Sequence, residues 1–173
     1  MLVRNYGLFW ERRLVPWGSR GPGNSGSLFG HADRSKVLID FSAQAGVYVL
    51  YEGLDIAIHR VIYVGQVGAG KNGLRNRLNG HRSDDLWNRW HRFSWFGVYA
   101  VGAGDKLNNV GKECVGNVPV AIALDQIEGV LRTLLEPPKN KRGANWHDTT
   151  EFFQATLSDL EAVGISRLGV EAP

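Results

Sequence analysis

Two apolar segments separated by a short polar stretch constrain the fold of this chain most strongly. Residues 46–51 have the sequence GVYVLY and residues 61–64 have the sequence VIYV, with a polar turn around residues 52–55. Short runs of β-branched and aromatic residues bounded by turn residues are typical of β-strands, and two such runs joined by a short loop predict a hairpin. A third segment, residues 93–101, is apolar or aromatic at both alternating positions and predicts a central strand covered on both faces.

Helical spacing follows the predicted hairpin. A glycine-rich loop at residues 65–73 precedes Leu74 and Leu78, which are four residues apart, as on one face of a helix. Seven later apolar residues recur at intervals typical of a helix with one buried face: Val120, Ala123, Leu124, Ile127, Leu131, Leu134 and Leu135. The prolines at residues 137–138 end this helix. A last apolar pattern predicts a helix over residues 151–163.

Length and composition indicate one globular domain. The chain has 173 residues, of which 43% are hydrophobic, so it can bury a core. Its apolar runs are far shorter than the roughly 20 residues that span a membrane, and its first ten residues hold no apolar stretch like that of a signal peptide. The lone Cys114 forms no internal disulfide. We therefore expect a cytoplasmic protein that has no membrane partner.

The positive charge of the chain is concentrated in one segment. The formal net charge is +3, and residues 71–92 contain six basic and two acidic residues. That segment therefore carries +4, whereas the rest of the chain carries −1. Aromatic side chains are interspersed with the basic ones, as in surfaces that follow a phosphate backbone, so the segment predicts contact with nucleic acid. For Trp95, a place in the core is the better interpretation.

One phosphate-binding motif is present in part. Residues 65–71 follow a predicted strand and fit the GxxxxGK pattern of a P-loop, and residues 120–125 (VAIALD) resemble the apolar run that ends in a magnesium-binding Asp. In a P-loop the residue after the lysine gives a hydroxyl to Mg²⁺, and Asn72 has none. Residues 120–125 also fit the helical pattern that continues beyond them. A P-loop nucleotide hydrolase is therefore an alternative interpretation.

Six polar side chains favour a different chemistry by their order. They are Tyr48 in the first strand (GVY), Tyr63 in the second (YVG), Arg77 and His81 on the following helix, Glu128 on the long helix, and Asn140 just beyond a proline. Glu128 lies at the edge of the apolar stripe, where a carboxylate is costly unless it is paired with a base or binds a metal. Together these residues resemble the GIY-YIG nuclease superfamily over roughly residues 46–140.

The resemblance implies a fold of the α/β (α+β) kind. We expect a small, mostly antiparallel, three-stranded central sheet flanked by helices, in a nuclease-like domain at residues 41–147. Residues 1–40 would form an N-terminal extension with a glycine-rich linker. Residues 148–173 would form a C-terminal helix that packs on the domain.

The resemblance also implies a metal-dependent endonuclease that hydrolyses phosphodiester bonds and leaves 5′-phosphate and 3′-hydroxyl ends. Tyr48 or Tyr63 would take a proton from the attacking water, which a phenol does poorly unless a nearby cation lowers its pKa. Arg77 would hold the phosphate through its planar fork of donors. His81 would hold a tyrosine hydroxyl or the phosphate.

A divalent metal is part of this expectation. Glu128 would bind one Mg²⁺ or Mn²⁺ that stays largely hydrated and stabilises the leaving oxygen. Asn140 would orient Glu128, a substrate phosphate or the groups around the metal.

Four further residues are expected to contact substrate: Lys71, Arg75, Arg82 and Gln66. Many relatives have a lysine where this chain has Gln66, so Lys71 would have to reach back to supply that charge. Because of this departure, a catalytically degenerate module that only binds nucleic acid is a further alternative. DNA is favoured over RNA, a homodimer is possible, and relatives of this size often serve in restriction, mobile elements or phage defence.

Overall fold

The computed structural model describes residues 3–18, 26–31, 37–53, 59–68, 73–108, 114–115 and 118–140. The strands in this part of the chain are Asn5–Glu11 (β1), Phe29–Gly30 (β2), Ile39–Asp40 (β3), Gly46–Glu52 (β4), Arg60–Val67 (β5), Arg92–Gly97 (β6), Ala100–Val101 (β7), Leu107–Asn108 (β8), Cys114–Val115 (β9) and Val118–Pro119 (β10). The α-helices are Leu74–Gly80 (α1) and Val120–Leu135 (α2), and short 3₁₀ turns cover Arg12–Leu14 and His81–Ser83.

Four antiparallel strands form the central sheet, in the order β1-β6-β4-β5. The mostly antiparallel α+β class is confirmed, but the prediction of three strands is wrong because β1, from the expected N-terminal extension, pairs with β6. A register irregularity between Gly7 and Trp10 interrupts β1 and hides the period of two by which a strand is recognised in sequence. The predicted domain boundary near residue 40 stays a prediction.

The middle strands of the sheet are buried on both faces, as the sequence of β6 predicts. Tyr48 and Trp95 belong to a cluster on one face, and Trp95 is 1% exposed, so its place in the core is confirmed. Val47 and Val49 point into a second cluster on the other face, where α2 contributes Leu124. The sheet thus separates two cores, and the cluster that holds Tyr48 also packs against α1.

Helix α2 packs on β5 and β4 through the first half of its apolar stripe. Val120 and Leu124 are buried there, and Ile127 and Leu131 pack against the same cluster. The prediction that this apolar face is buried along its whole length is wrong for the last turn. Leu134 is 75% exposed there, and Leu135 is 39% exposed. Periodicity shows which residues share a helix face, but it does not show how far the surface under that face extends.

The loop before β4 fixes the start of α1. The amide of Leu74 donates to the carbonyl of Gln44 at 2.8 Å, and the amide of Arg75 donates to the carbonyl of Ser42 at 3.2 Å. These bonds satisfy amides that have no partner inside the helix itself. The helix predicted from Leu74 and Leu78 is confirmed, and it is held beside the start of β4.

The described part of the segment that matches a P-loop, residues 65–68, does not have a P-loop's local structure. Strand β5 runs to Val67, so Gly65 is paired with Tyr48 and belongs to the sheet, not to a loop. Residues 120–125 are helical, whereas the magnesium-binding Asp of a P-loop enzyme follows a strand. These features count against the nucleotide-hydrolase alternative.

Two predicted features fall outside the described residues. They are the helix over residues 151–163, with the C-terminal unit at 148–173, and Lys71 in the glycine-rich loop. Among the described helices, none has the length and apolar character needed to cross a membrane.

Candidate active site

Tyr48 and Tyr63 lie side by side because the residue between them has no side chain. Tyr48 in β4 is opposite Gly65 in β5, and Tyr63 lies two residues earlier on that strand, on the same face. The two ring centroids are 6.0 Å apart. A Cβ atom at Gly65 would lie 2.5 Å from the Tyr48 hydroxyl oxygen and 2.7 Å from a Tyr63 ring carbon. The glycine of the YVG motif therefore makes room for both tyrosines.

His81 joins the tyrosine pair from the end of α1. Its Nε2 atom is 2.9 Å from the Tyr48 hydroxyl oxygen, and its ring centroid is 5.1 Å from that of Tyr63. His81 is 5% exposed and Tyr48 is fully buried. This contact agrees with the expectation that His81 holds a tyrosine hydroxyl, and the tyrosine is Tyr48.

Arg77, one helical turn before His81, brings positive charge to both tyrosines. The Tyr48 hydroxyl raises the pKa of the Arg77 guanidinium, with Tyr63 acting in the same direction and burial opposing them. Burial raises the pKa of the Tyr48 hydroxyl well above its usual range, and Tyr63 raises it further, although Arg77 lowers it. Tyr48 is therefore a neutral phenol at physiological pH, so it is a poor acceptor for the proton of a water.

A cleft of about 490 Å³ opens beside this cluster. Tyr63, Arg77 and His81 line it, whereas Tyr48 lies behind them in the core. Two further basic side chains, Arg132 from α2 and Lys139 from the segment after it, line the same cleft. The cleft thus combines three basic groups and one tyrosine, which suit the binding of a phosphate, with two acidic side chains, Asp84 and Asp85.

Glu128 on α2 has a side chain that is 14% exposed, and it does not line the cleft, although Arg132, one turn along the helix, does. The carboxylate oxygen of Glu128 is 3.6 Å from a guanidinium nitrogen of Arg132. Burial raises the pKa of the Glu128 carboxyl, and Asp125 acts in the same direction, whereas Arg132 and then Arg77 lower it. The salt bridge that sequence reasoning weighed against a metal site is therefore present.

A divalent metal fits Glu128 as a single-carboxylate site. Within the described residues no group of three or more histidine, cysteine or acidic side chains is arranged to hold a metal ion. Mg²⁺ keeps several water ligands and takes oxygens from one or two carboxylates and a substrate phosphate, so one carboxylate is compatible with it. A metal ion bound there would take the place of the positive charge that Arg132 now holds 3.6 Å from the carboxylate.

Asn140 lines the cleft, and its side chain is bonded to the backbone of β5. Its Oδ1 atom accepts from the amide of Val64 at 2.9 Å, and its Nδ2 atom donates to the carbonyl of Val64 at 2.7 Å. Both ends of the side-chain amide are therefore engaged with the backbone of β5. These side-chain hydrogen bonds hold the segment after α2 against β5, and they go to Val64, not to Glu128.

Of the four residues expected to contact substrate, Lys71 lies outside the described residues, and the other three are not brought together. Arg75 is buried and its guanidinium donates to the carbonyl of Trp17. The guanidinium of Arg82 stacks on a tryptophan ring, and the amide of Gln66 donates to Asp125 on α2. Of this set, Arg75 has a packing role, because a guanidinium enclosed by the core is not available to a phosphate.

The basic segment as a whole shows why charge density in sequence was a weak guide. Arg89 pairs with Glu52 at 3.1 Å and Arg92 pairs with Glu11 at 3.3 Å. Among the described basic residues of this segment, Arg77 alone lines the cleft.

Three functional residues of the cleft and its support were not identified from the sequence: Asp84, Arg132 and Lys139. The side chain of Asp84 lies 2.7 Å from the Nδ1 atom of His81. The spacing of three residues between His81 and Asp84 was a usable signal, because residues three apart on a helical turn can touch. Lys139 precedes Asn140 directly, and its amide donates to the carbonyl of Ile62 at 3.1 Å, which no local pattern predicts.

Comparison of the chain with protein-family models, with curated proteins and with solved structures finds no match. Any assignment of function therefore depends on the geometry of this cleft and on the motifs that lead to it.

Proposed function

We propose that the chain is a metal-dependent endonuclease that hydrolyses phosphodiester bonds. The observation that carries the proposal is the convergence of Tyr63, Arg77 and His81 on one cleft, over the buried Tyr48. These residues come from two strands and a helix, and their order in sequence is the one on which the resemblance to GIY-YIG nucleases rests. Each group has a use in phosphodiester hydrolysis that a merely structural cluster would not require.

The basic residues of the cleft would hold the scissile phosphate. Arg77 offers parallel donors to two phosphoryl oxygens, which both binds the group and fixes its orientation. Arg132 and Lys139 add positive charge on the facing side of the cleft. Charge that builds up on the phosphoryl oxygens during attack is stabilised by such fixed donors.

Tyr63 is the candidate general base for the attacking water, a role that would require its phenolate form, because a neutral hydroxyl does not accept a proton from water. Tyr63 lines the cleft, whereas Tyr48 is fully buried and keeps its own proton because burial raises its pKa. Arg77 lines the same cleft and interacts electrostatically with Tyr63. Tyr48 would then serve as support, holding His81 and facing Arg77.

Glu128 would hold one Mg²⁺ or Mn²⁺, whose chemistry would be to stabilise the leaving 3′ oxygen and its phosphate. Arg132 would exchange its 3.6 Å contact with Glu128 for the substrate phosphate when the carboxylate takes up the metal. DNA is the proposed substrate, with 5′-phosphate and 3′-hydroxyl products, and a homodimer would account for cleavage of both strands. These last points follow from the resemblance.

Incubation of a supercoiled plasmid with the protein and Mg²⁺ or Mn²⁺ tests the proposal. We expect nicked and linear products whose 5′ ends carry phosphate, and we expect Arg77→Ala and Glu128→Gln to abolish them while circular dichroism stays native. Arg13→Ala and Glu136→Gln are matched controls, because both side chains are exposed and neither lines the cleft. Full activity of Glu128→Gln would remove the metal assignment.

The same experiment separates the alternatives. A protein that retards DNA in a gel but does not cleave it with either metal would favour the binding module. Tight ATP binding would instead favour a nucleotide hydrolase, and loss of that binding in Lys71→Ala would identify the P-loop.

A further inference from the structure

Asp84 is held in a fixed orientation at the end of the turn that follows α1. One carboxylate oxygen, Oδ2, is 2.7 Å from the Nδ1 atom of His81, and the other, Oδ1, accepts from the amide of Leu86 at 2.9 Å. The amide of Asp84 in turn donates to the carbonyl of His81 at 3.3 Å. Because both oxygens and the backbone are engaged locally, the carboxylate is aimed at the imidazole although Asp84 is 46% exposed.

This contact decides which nitrogen of a neutral His81 carries the proton. A carboxylate accepts hydrogen bonds and donates none, so the Nδ1 atom must be the donor to Asp84. In a neutral imidazole the other nitrogen, Nε2, is then an acceptor. The Tyr48 hydroxyl lies 2.9 Å from that Nε2 atom and, as a phenol that keeps its proton, it donates to it.

The result is a chain in which every hydrogen bond has the same direction. Tyr48 donates to His81, and His81 donates to Asp84. With its proton committed to His81, the Tyr48 oxygen presents only lone pairs to its other neighbours, which are the guanidinium of Arg77 and the Tyr63 hydroxyl. A guanidinium has donors and no acceptor, so this orientation is the one that suits Arg77.

We propose that Asp84 is a positioning residue that fixes His81 in the Nδ1–H tautomer and thereby turns the lone pairs of Tyr48 toward Arg77. The effect on cleavage depends on the nuclease activity proposed above, but the tautomer of His81 does not. Without Asp84, the imidazole is free to carry its proton on Nε2, where it would donate to Tyr48. The Tyr48 proton would then turn away from His81, toward the Tyr63 hydroxyl or the guanidinium, and the lone pairs that face Arg77 would no longer be fixed in place.

Side-chain ¹⁵N spectroscopy of the full-length protein tests this proposal independently of catalysis. The His81 resonances are assigned by their loss in His81→Gln, and we expect the wild-type pattern of a protonated Nδ1 and an unprotonated Nε2. Asp84→Ala should move His81 toward the Nε2–H tautomer. Asp84→Asn, which keeps the size of the side chain but removes its charge, is the second variant in case Asp84→Ala does not fold.

Asp85→Asn is the matched control, because Asp85 is the adjacent exposed carboxylate on the same cleft and makes no hydrogen bond with His81. It should leave the His81 tautomer unchanged. In the cleavage assay, Asp84→Ala should lower kcat on the order of tenfold to a hundredfold, as for other groups that orient a functional histidine, with KM little changed.

An unchanged His81 tautomer in a folded Asp84→Ala protein would overturn the proposal. So would a changed tautomer with wild-type kcat, since Asp84 would then position nothing that the reaction uses. If the wild-type protein cleaves no DNA, the proposed function fails, while the spectra still decide whether Asp84 fixes His81.

Discussion

Asn140 takes the place of a neighbouring strand for Val64, because its side-chain amide donates to the carbonyl and accepts from the amide of that one residue. Strand β5 lies at the edge of the central sheet, where such backbone groups otherwise face solvent. The amide of Lys139 bonds the carbonyl of Ile62 beside it. The segment after α2 is thus attached to the strand that carries Tyr63.

Replacement of Asn140 by alanine should lower stability more than a surface substitution does. Two partly buried hydrogen bonds are lost and Val64 is left unpaired, which corresponds to about 1–3 kcal/mol. Urea denaturation measures the difference, and Asn88→Ala, at an exposed position, should lie within about 0.5 kcal/mol of wild type. Equal unfolding free energies for the two variants would show that the attachment contributes nothing.

The sequence predicted the elements of this fold better than their connections. The apolar patterns identify β4, β5, β6 and both α-helices, because each pattern reflects a local period that the backbone imposes. They do not identify β1, whose irregular register disturbs the period, or the exposed end of α2. In the same way, the tyrosines and His81 were found from their order, whereas Lys139 reaches the cleft through a contact between residues far apart in sequence.

The density of charge along the sequence does not show which basic side chains reach the cleft. A basic segment shows that cations are close in sequence, but pairing and burial decide which of them face a ligand. Arg89 and Arg92 are each paired with a glutamate, and Arg75 is enclosed by the core. Two of the basic groups that line the cleft come from elsewhere in the chain.

Gly65→Ala should disturb the tyrosine pair strongly, although it adds only one methyl group. The added methyl group would lie 2.5 Å from the hydroxyl oxygen of Tyr48, which is fully buried and cannot move aside without disturbing His81. We expect a loss of about 1–3 kcal/mol in unfolding free energy and a loss of cleavage activity. Gly68→Ala is the control, because nothing lies within 4 Å of a Cβ atom there. Similar behaviour of the two variants would contradict the close contact.

The buried hydroxyl of Tyr48 should make the protein sensitive to alkali. Burial raises the pKa of Tyr48 in the folded protein. As the pH rises past about 10, the tyrosine of the unfolded chain loses its proton while the folded protein still holds it. The unfolded state then binds fewer protons, so stability falls as the pH rises through that value, by about 1.4 kcal/mol per pH unit for each such group. Unfolding free energies from about pH 8 to about pH 11 should fall less steeply in Tyr48→Phe than in wild type. Tyr51, whose pKa is also raised by burial, contributes equally to both proteins, so parallel slopes would mean that Tyr48 ionises normally.

Arg75 and Arg77 are two residues apart on α1, and they should respond differently to the same substitution. The guanidinium of Arg75 is buried and donates to the carbonyl of Trp17, whereas that of Arg77 lines the cleft. Arg77→Gln should weaken DNA binding and reduce the slope of log K against log salt by about 0.9, the effect of one lost phosphate contact. Arg75→Gln should leave that slope unchanged and instead lower the unfolding free energy, because it leaves the Trp17 carbonyl without its charged donor. Titration of a fluorescent DNA duplex at several salt concentrations, alongside urea denaturation, measures both effects, and a reduced salt slope in Arg75→Gln would place its guanidinium on the substrate after all.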